Sequence, residues 1–136
     1  MKQLSEEQLT ELRELAKHYE LKGHHFHKDS RGFIIITRAG VEQIAAKLGA
    51  RVEFEPVHEW SDAGEGRYVI KAQAWYDKTV ATSYGEVSSK NTRNAYPVAM
   101  AEKRAMSRAV LKLAGLYKFN VYGEDELEQL KTNETN

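Results

Sequence analysis

Three cations recur every fourth residue within the stretch MAEKRAMSRAVLKLAGLY. Arg104, Arg108 and Lys112 would share one stripe of a helix, with about 6 Å between successive side chains, and Lys103 stands beside them. Guanidinium and ammonium groups in an open row bind phosphates, because they donate charge-assisted hydrogen bonds to phosphate oxygens. The spacing therefore predicts an exposed anion-binding helix face.

The charges of the chain are unevenly distributed, although the formal net charge of its 136 residues is zero. Residues 86–118 carry seven Lys or Arg against two Asp or Glu, whereas residues 119–136 carry one against five. A basic block beside an acidic tail indicates an anionic partner for the block and a screening or regulatory role for the tail. A solvated helix face beside a polar terminus explains the same charges equally well.

Composition narrows the class of protein. The length, with 41% hydrophobic and 29% charged residues, is typical of one globular domain. No apolar run approaches the roughly 20 residues of a membrane-spanning helix, and the first residues lack the apolar core of a signal peptide. We therefore expect a cytosolic protein without membrane contact. The absence of cysteine excludes disulfides and thiolate chemistry.

Capping patterns predict two helices in the first 50 residues. Ser5 and Gln8 form a capping box before leucines at helical spacing, which predicts an amphipathic helix over residues 5–22. Thr37 and Gly49 are typical of the start and end of a second helix. The apolar run FIIIT before Thr37 predicts a buried strand, and the polar stretch GHHFHKDSRG before that run predicts a loop.

Three alternating segments follow, RVEFEPVHEW, RYVIKAQAWY and TVATSYGEVS, and predict an antiparallel meander. Pro97 and Gly115 mark the two ends of a long helix. The expected fold is α+β: a twisted antiparallel β-meander of three to four strands packed against the long basic helix, with the N-terminal amphipathic helix. One domain would span residues 1–127, with its core at 33–118, and an acidic tail would cover 128–136.

The order of these elements resembles the core of the single-strand annealing recombinases of the Rad-fifty-two type, in particular the phage branch. The resemblance rests on TRAGVEQIAAKLGARVEF, GRYVIKAQAWYDKTVATSYGEVSSKN and MAEKRAMSRAVLKLAG, and it extends over roughly residues 33–127. It implies a homo-oligomeric ring or arc whose groove holds single-stranded DNA by its backbone, so that a complementary strand pairs without ATP. It also implies a phage or prophage origin, with a phage exonuclease or single-strand binding protein as further partner.

The resemblance also implies roles for particular cations. Arg108 matches a groove residue of the family, whereas Ser107 stands where eukaryotic members often carry lysine. The other cations of the helix, Lys103, Arg104 and Lys112, would then supply the missing charge. Arg38 lies close to a second basic position, near the start of the earlier helix.

Further candidates come from the loop before the long helix and from the exposed face of the sheet. Lys90 and Arg93 in the loop could clamp the DNA backbone. On the sheet, the candidates are Arg67, Lys71, Trp75 and Tyr84. Stacking of bases on Trp75 or Tyr84 competes with an interpretation in which both rings pack across strands.

Two chemical sites receive little support from the sequence. The histidines His24, His25 and His27 lie on one irregular stretch, where adjacent ligands rarely converge, and no cysteine completes a zinc set, so we expect no metal. The acidic residues near the first meander strand are expected on its wet face rather than in a nuclease centre. Without nucleotide-binding or hydrolase motifs, we expect a protein that is not an enzyme and needs no cofactor.

An alternative function remains open. The chain could be a non-catalytic, oligomeric protein-interaction module. In that case residues 124–128, EDELE, would dock on the basic helix of an adjacent copy, and the basic helix would bind an acidic protein segment instead of DNA.

Overall fold

The chain forms helices and two small sheets in the computed structural model, which describes residues 4–88 and 96–126. Within these ranges the helices are α1 (Glu6–His18), α2 (Arg38–Leu48) and α3 (Pro97–Ala114). The strands are β1 (Phe26–Lys28), β2 (Ile34–Ile36), β3 (Arg51–Pro56), β4 (Tyr68–Tyr76), β5 (Thr79–Val87) and β6 (Val121–Gly123). The predicted α+β class is confirmed. Lys90, Arg93 and the tail 128–136 lie outside the described residues.

Helix α1 begins with the predicted capping box. The Gln8 amide donates to Ser5 Oγ at 3.1 Å, and the Ser5 amide donates to Gln8 Oε1 at 2.9 Å. The helix ends at His18, four residues before the predicted end at 22, because Glu20 adopts a positive φ of 58°. That conformation reverses the chain and lets the Leu21 amide bond to the carbonyl of Ala16.

Helix α2 also has its predicted ends. The Gly40 amide donates to Thr37 Oγ1 at 3.1 Å, and Gly49 stops the helix in the left-handed region at φ 68°. The buried side chains of this helix, Val41 and Ile44, belong to the main core.

Strands β3, β4 and β5 form the predicted antiparallel meander, in that order across the sheet. The even-numbered residues Ile70, Ala72 and Ala74 of β4 lie in the core, as the alternation predicts. The opposite face carries rows of paired side chains. One row joins Glu55, Lys71 and Tyr84, and another joins Arg51, Trp75 and Val80.

Helix α3 crosses strand β5 at very close range. A Cβ at Gly85 would collide with the carbonyl oxygen of Ala101 and the amide nitrogen of Ala105, so only glycine permits this approach. Both alanines are fully buried. The helix face that carries these alanines therefore packs on the sheet, beside the cations that were predicted to be exposed.

A second sheet joins β1, β2 and β6, with β1 antiparallel and β6 parallel to β2. The predicted loop GHHFHKDSRG is therefore partly wrong, since its residues 26–28 form β1. Asp29 organises the turn that follows: its Oδ1 accepts from the amides of Arg31 and Phe33, each at 3.0 Å. Three-residue strands are too short to show a period in the sequence.

None of the helices within residues 4–88 and 96–126 is long and apolar enough to cross a membrane.

Candidate nucleic-acid interface

The three evenly spaced cations of α3 bind three backbone carbonyls of the outer strand β5. Arg104 Nη1 donates to Glu86 O at 2.8 Å, Arg108 Nη1 to Tyr84 O at 2.7 Å, and Lys112 Nζ to Thr82 O at 3.0 Å. Four residues of helix rise about 6 Å, which is close to the length of two residues of strand. The spacing of the cations thus matches the spacing of carbonyls along the free edge of the sheet.

Burial differs sharply along this row. Arg104 is fully buried, and its Nε also donates to the carbonyl of Asp125 at 2.8 Å. The prediction of an open row is wrong at this position, because the backbone carbonyls of Glu86 and Asp125 take the place of a ligand. Arg108 is partly exposed at 24% of its side chain, and Lys112 is exposed. Only the C-terminal half of the row faces solvent.

The acidic residues after β6 dock on α3 of the same chain. Arg108 Nε donates to Glu126 Oε1 at 3.0 Å, and Ser107 Oγ donates to Asp125 Oδ2 at 3.2 Å. The hydroxyl of Tyr117 also donates to Glu126 Oε1 at 3.0 Å. Residues 124–126 thus have partners on α3 of their own chain, and docking of the segment on an adjacent copy stays a prediction.

Burial shifts the titration of two groups in this contact. It raises the pKa of the Tyr117 hydroxyl, and the charge of Glu126 raises it further. Burial also raises the pKa of Asp125, against the hydrogen bond from Ser107. Glu126 is buried, whereas Tyr117 and Asp125 are partly buried, so the contact between the segment and the helix is partly shielded from water.

Arg38 and Lys103 both lie near the acidic segment after β6. The Arg38 amide donates to Glu124 Oε1 at 2.7 Å, and its guanidinium pairs with Glu42 at 3.1 Å. The positive charges of Arg38 and Lys103 both act to lower the pKa of Asp125, against the larger effect of burial. Arg38 therefore contacts the acidic segment after β6, whereas Arg108 contacts both that segment and strand β5.

Trp75 packs across strands, which was the alternative to base stacking. The guanidinium of Arg51 lies 5.6 Å from the centroid of its ring. Its Nε1 is buried and has no hydrogen-bond partner within the described residues. Neighbouring Lys71 lies 4.0 Å from the carboxylate of Glu55. On this face Trp75 and Lys71 are therefore paired with Arg51 and Glu55 of the neighbouring strand β3.

An exposed aromatic pair lies nearer the cations. The rings of Trp60 and Tyr84 are 5.4 Å apart, and the two residues are 54% and 38% exposed. Sequence reasoning missed Trp60 because it extended the strand through that residue, whereas β3 ends at Pro56 and a 3₁₀ turn covers His58–Trp60. Pro56 was the signal that the strand ends there.

The predicted cations Arg67 and Arg108 meet at this pair. Both line a cavity of about 540 Å³ together with Trp60 and Tyr84. Arg67 Nε donates to the carbonyl of Trp60 at 3.1 Å, which holds the guanidinium beside the indole. The structure therefore brings together residues from the turn after β3, from β4–β5 and from α3.

The histidines do not assemble into a site. The buried His25 accepts a hydrogen bond from the Lys22 amide at Nδ1 over 2.9 Å, and burial, followed by the charges of His24 and Lys22, lowers its pKa. In the described ranges, no three His, Asp or Glu side chains are grouped so that they could hold a metal ion.

Comparisons of the chain with protein-family models, curated proteins and solved structures found no match. Its function is therefore inferred from its own residues and their geometry.

Proposed function

We propose that this protein binds single-stranded DNA and anneals complementary strands without ATP, in homologous recombination or repair. It acts as a homo-oligomeric ring or arc in the bacterial cytosol and is encoded by a phage or prophage. The observation that carries the proposal is the cavity in which an exposed aromatic pair, Trp60 and Tyr84, meets Arg67 and Arg108. Lys112 binds the same strand β5 one helical turn beyond Arg108.

Cations and aromatic rings make complementary contributions to such binding. Arginines and lysines neutralise phosphates of any sequence and release counterions. Aromatic rings stack on unpaired bases, which a duplex keeps inside its helix. An interface that has both favours a single strand over a duplex.

The order of elements gives separate support. Strands β3, β4 and β5 followed by α3 reproduce the order on which the resemblance to annealing recombinases rests, and α3 packs directly on the meander through Gly85. In this arrangement Arg104 positions the helix on the edge of the sheet. Arg108 and Lys112, one and two helical turns further on, bind β5 as well but have solvent-exposed parts that can contact phosphates.

The interface is not uniformly basic, and this suits annealing. Carboxylates of Glu59 and Glu86 line the same cavity as the two arginines, and Glu126 pairs with Arg108. Because these carboxylates partly neutralise the arginines, the affinity for each strand stays moderate, and paired strands can dissociate from the protein. A single aromatic pair per protomer leaves most bases free to pair.

The proposal is tested by fluorescence anisotropy of a labelled single-stranded oligonucleotide at two salt concentrations, with a duplex of equal length as competitor. We expect binding that prefers the single strand and weakens with salt. The variant Lys112→Ala should lower the slope of log K against log salt by about 0.7, as expected for the loss of one phosphate contact on a single strand. Lys28→Ala, an exposed cation of β1, is the matched control and should leave the slope unchanged.

A second assay follows the pairing of two complementary labelled strands without ATP. Faster pairing in the presence of the protein supports annealing. An absence of binding at low salt would reject the proposal and leave the protein-interaction module as the better account of the basic helix.

A further inference from the structure

The cavity beside Trp60 combines three kinds of chemistry in one place. Its lining includes two aromatic rings, two guanidinium groups and two carboxylates: Trp60, Tyr84, Arg67, Arg108, Glu59 and Glu86. Its volume of about 540 Å³ lies within the range of about 300–1,000 Å³ that small-molecule sites occupy. We infer that this cavity binds one unpaired nucleobase of each bound strand segment, with preference for bases that carry an exocyclic amino group. The inference deepens the proposed function and rests on it.

The aromatic pair is open to a third ring. The planes of Trp60 and Tyr84 are inclined at 59° to each other, so the two rings are not stacked together. Both rings are substantially exposed. A base entering the cavity can therefore stack on one ring while its edge contacts the other, and such stacking contributes about 1–3 kcal/mol per base.

The arginines are suited to the phosphate of the same nucleotide. Arg67 is anchored by the carbonyl of Trp60 and by the carboxylate of Glu65, at 3.1 and 3.0 Å. Arg108 is anchored by the carbonyl of Tyr84. Each guanidinium is thus hydrogen-bonded to the backbone of one residue of the aromatic pair, which places a cation near each ring.

The carboxylates determine which base is preferred. Glu59 and Glu86 present only acceptors when ionised. Cytosine and adenine offer amino protons to such acceptors, as in the pairing of carboxylates with cytosine N4. Thymine instead presents two carbonyl oxygens on either side of its N3–H, and these are repelled by a carboxylate. Cytosine and adenine should therefore bind more tightly than thymine.

The two tryptophans of the chain allow a direct test. In Trp75→Phe, the exposed Trp60 is the remaining indole; in Trp60→Phe, the remaining indole is that of Trp75, whose Nε1 is buried. Both variants are titrated with oligo-dC, oligo-dA, oligo-dT and an abasic oligonucleotide of equal length, with anisotropy recorded in parallel. We expect quenching in Trp75→Phe alone, and about tenfold tighter binding of oligo-dC than of oligo-dT.

Further variants separate the contributions. Trp60→Ala should weaken oligo-dC binding about tenfold and bring its affinity close to that of the abasic strand. Glu86→Gln combined with Glu59→Gln should reduce the preference for dC over dT to less than threefold. A preference that survives this double substitution would overturn the assigned role of the carboxylates.

Failure of the base site and failure of the proposed function give different results. Equal affinity for abasic and dC strands, without quenching of Trp60, would overturn the base site and leave DNA binding intact. If no oligonucleotide binds, the proposed function is rejected. A titration with dCMP alone then tests whether the cavity binds a nucleotide. Quenching of Trp60 fluorescence supports a nucleotide site, and the absence of quenching overturns it.

Discussion

Arg108 and Glu126 form a partly buried ion pair that ties helix α3 to the segment after β6. The distance from Arg108 Nε to Glu126 Oε1 is 3.0 Å, and 24% and 7% of the two side chains are exposed. The other carboxylate oxygen accepts from the Gly123 amide at 2.8 Å. One carboxylate therefore joins the residues around Gly123 to α3 and also neutralises a cation that we propose contacts phosphate.

Replacing Glu126 should affect stability and DNA binding in opposite directions. Glu126→Gln removes charge-assisted hydrogen bonds at a buried site, so the free energy of unfolding should fall by about 1–3 kcal/mol in urea titrations. Binding of single-stranded DNA, measured by anisotropy, should become tighter because Arg108 no longer shares its charge. Glu102→Gln, an exposed position on the same helix, should change neither quantity. Weaker binding of single-stranded DNA by a folded Glu126→Gln protein would contradict the proposal that Glu126 reduces the charge that Arg108 offers to DNA.

Arg104 should matter for folding rather than for DNA contact. Arg104→Ala removes a fully buried donor from the carbonyls of Glu86 and Asp125, and we expect a loss of about 2–5 kcal/mol, from two unsatisfied carbonyls and the lost packing. Lys112→Ala, which removes an exposed cation of the same row, should cost less than about 0.5 kcal/mol. Thermal and urea unfolding of the two variants provide the comparison, and equal losses would show that burial does not distinguish them.

Gly85 should tolerate no side chain. In Gly85→Ala the added methyl group meets the backbone of Ala101 and Ala105, which cannot move without displacing α3. We expect a loss of about 3 kcal/mol in the free energy of unfolding, the upper range for an overpacked core. Gly23→Ala is the control, since a Cβ there has no atom within 4 Å. Similar unfolding midpoints for the two variants would disprove the close approach.

The turn at Asp29 should contribute a pH-dependent part of stability. Burial acts to raise the pKa of this carboxyl, but hydrogen bonds from Arg31 and Phe33 outweigh burial and lower it. Because the pKa of Asp29 is lower in the folded state, the carboxylate stabilises the fold fully when the pH is above the ordinary pKa of about 3.8. This stabilisation is lost as the pH falls from there through the folded-state pKa.

The variant Asp29→Asn tests this linkage. At pH 7 its free energy of unfolding should be about 1 kcal/mol lower than that of the parent protein, because it lacks the charge that faces Arg31. The difference in free energy of unfolding between the two proteins should shrink as the pH falls below about 4. Urea titrations at several pH values measure this difference. Glu14→Gln, exposed on α1, should show no such change, and a gap that stays constant with pH would contradict the assignment.

Local features of the fold were predictable from sequence. The capping box of Ser5 and Gln8, the ends of α2 at Thr37 and Gly49, and the alternation in β4 all appear in the structure. Each depends on contacts between residues at most four apart, or on a simple period. Gly85 and the alanines of α3 were visible in the sequence, but nothing local indicated that they face each other.

The candidate site was only partly predictable. The row Arg104, Arg108 and Lys112 was identified from its spacing, yet a helical wheel cannot show what lies opposite the row. Its partners are carbonyls of β5, 18 to 30 residues away in sequence. Trp60 escaped notice because its place beside Tyr84 follows from the end of β3 and the pairing of β4 with β5.

The sequence by itself determined the three helices, strand β2 and the meander of β3, β4 and β5, and which residue types line one helix stripe, because those properties arise from short-range sterics and periodicity. Only the tertiary structure decided that Arg104 is buried, that Glu126 pairs with Arg108 in the same chain, and that β2 joins β6 in a second sheet. These outcomes depend on packing between distant segments, where burial of a charge is acceptable only if carbonyls or carboxylates from elsewhere in the chain satisfy it.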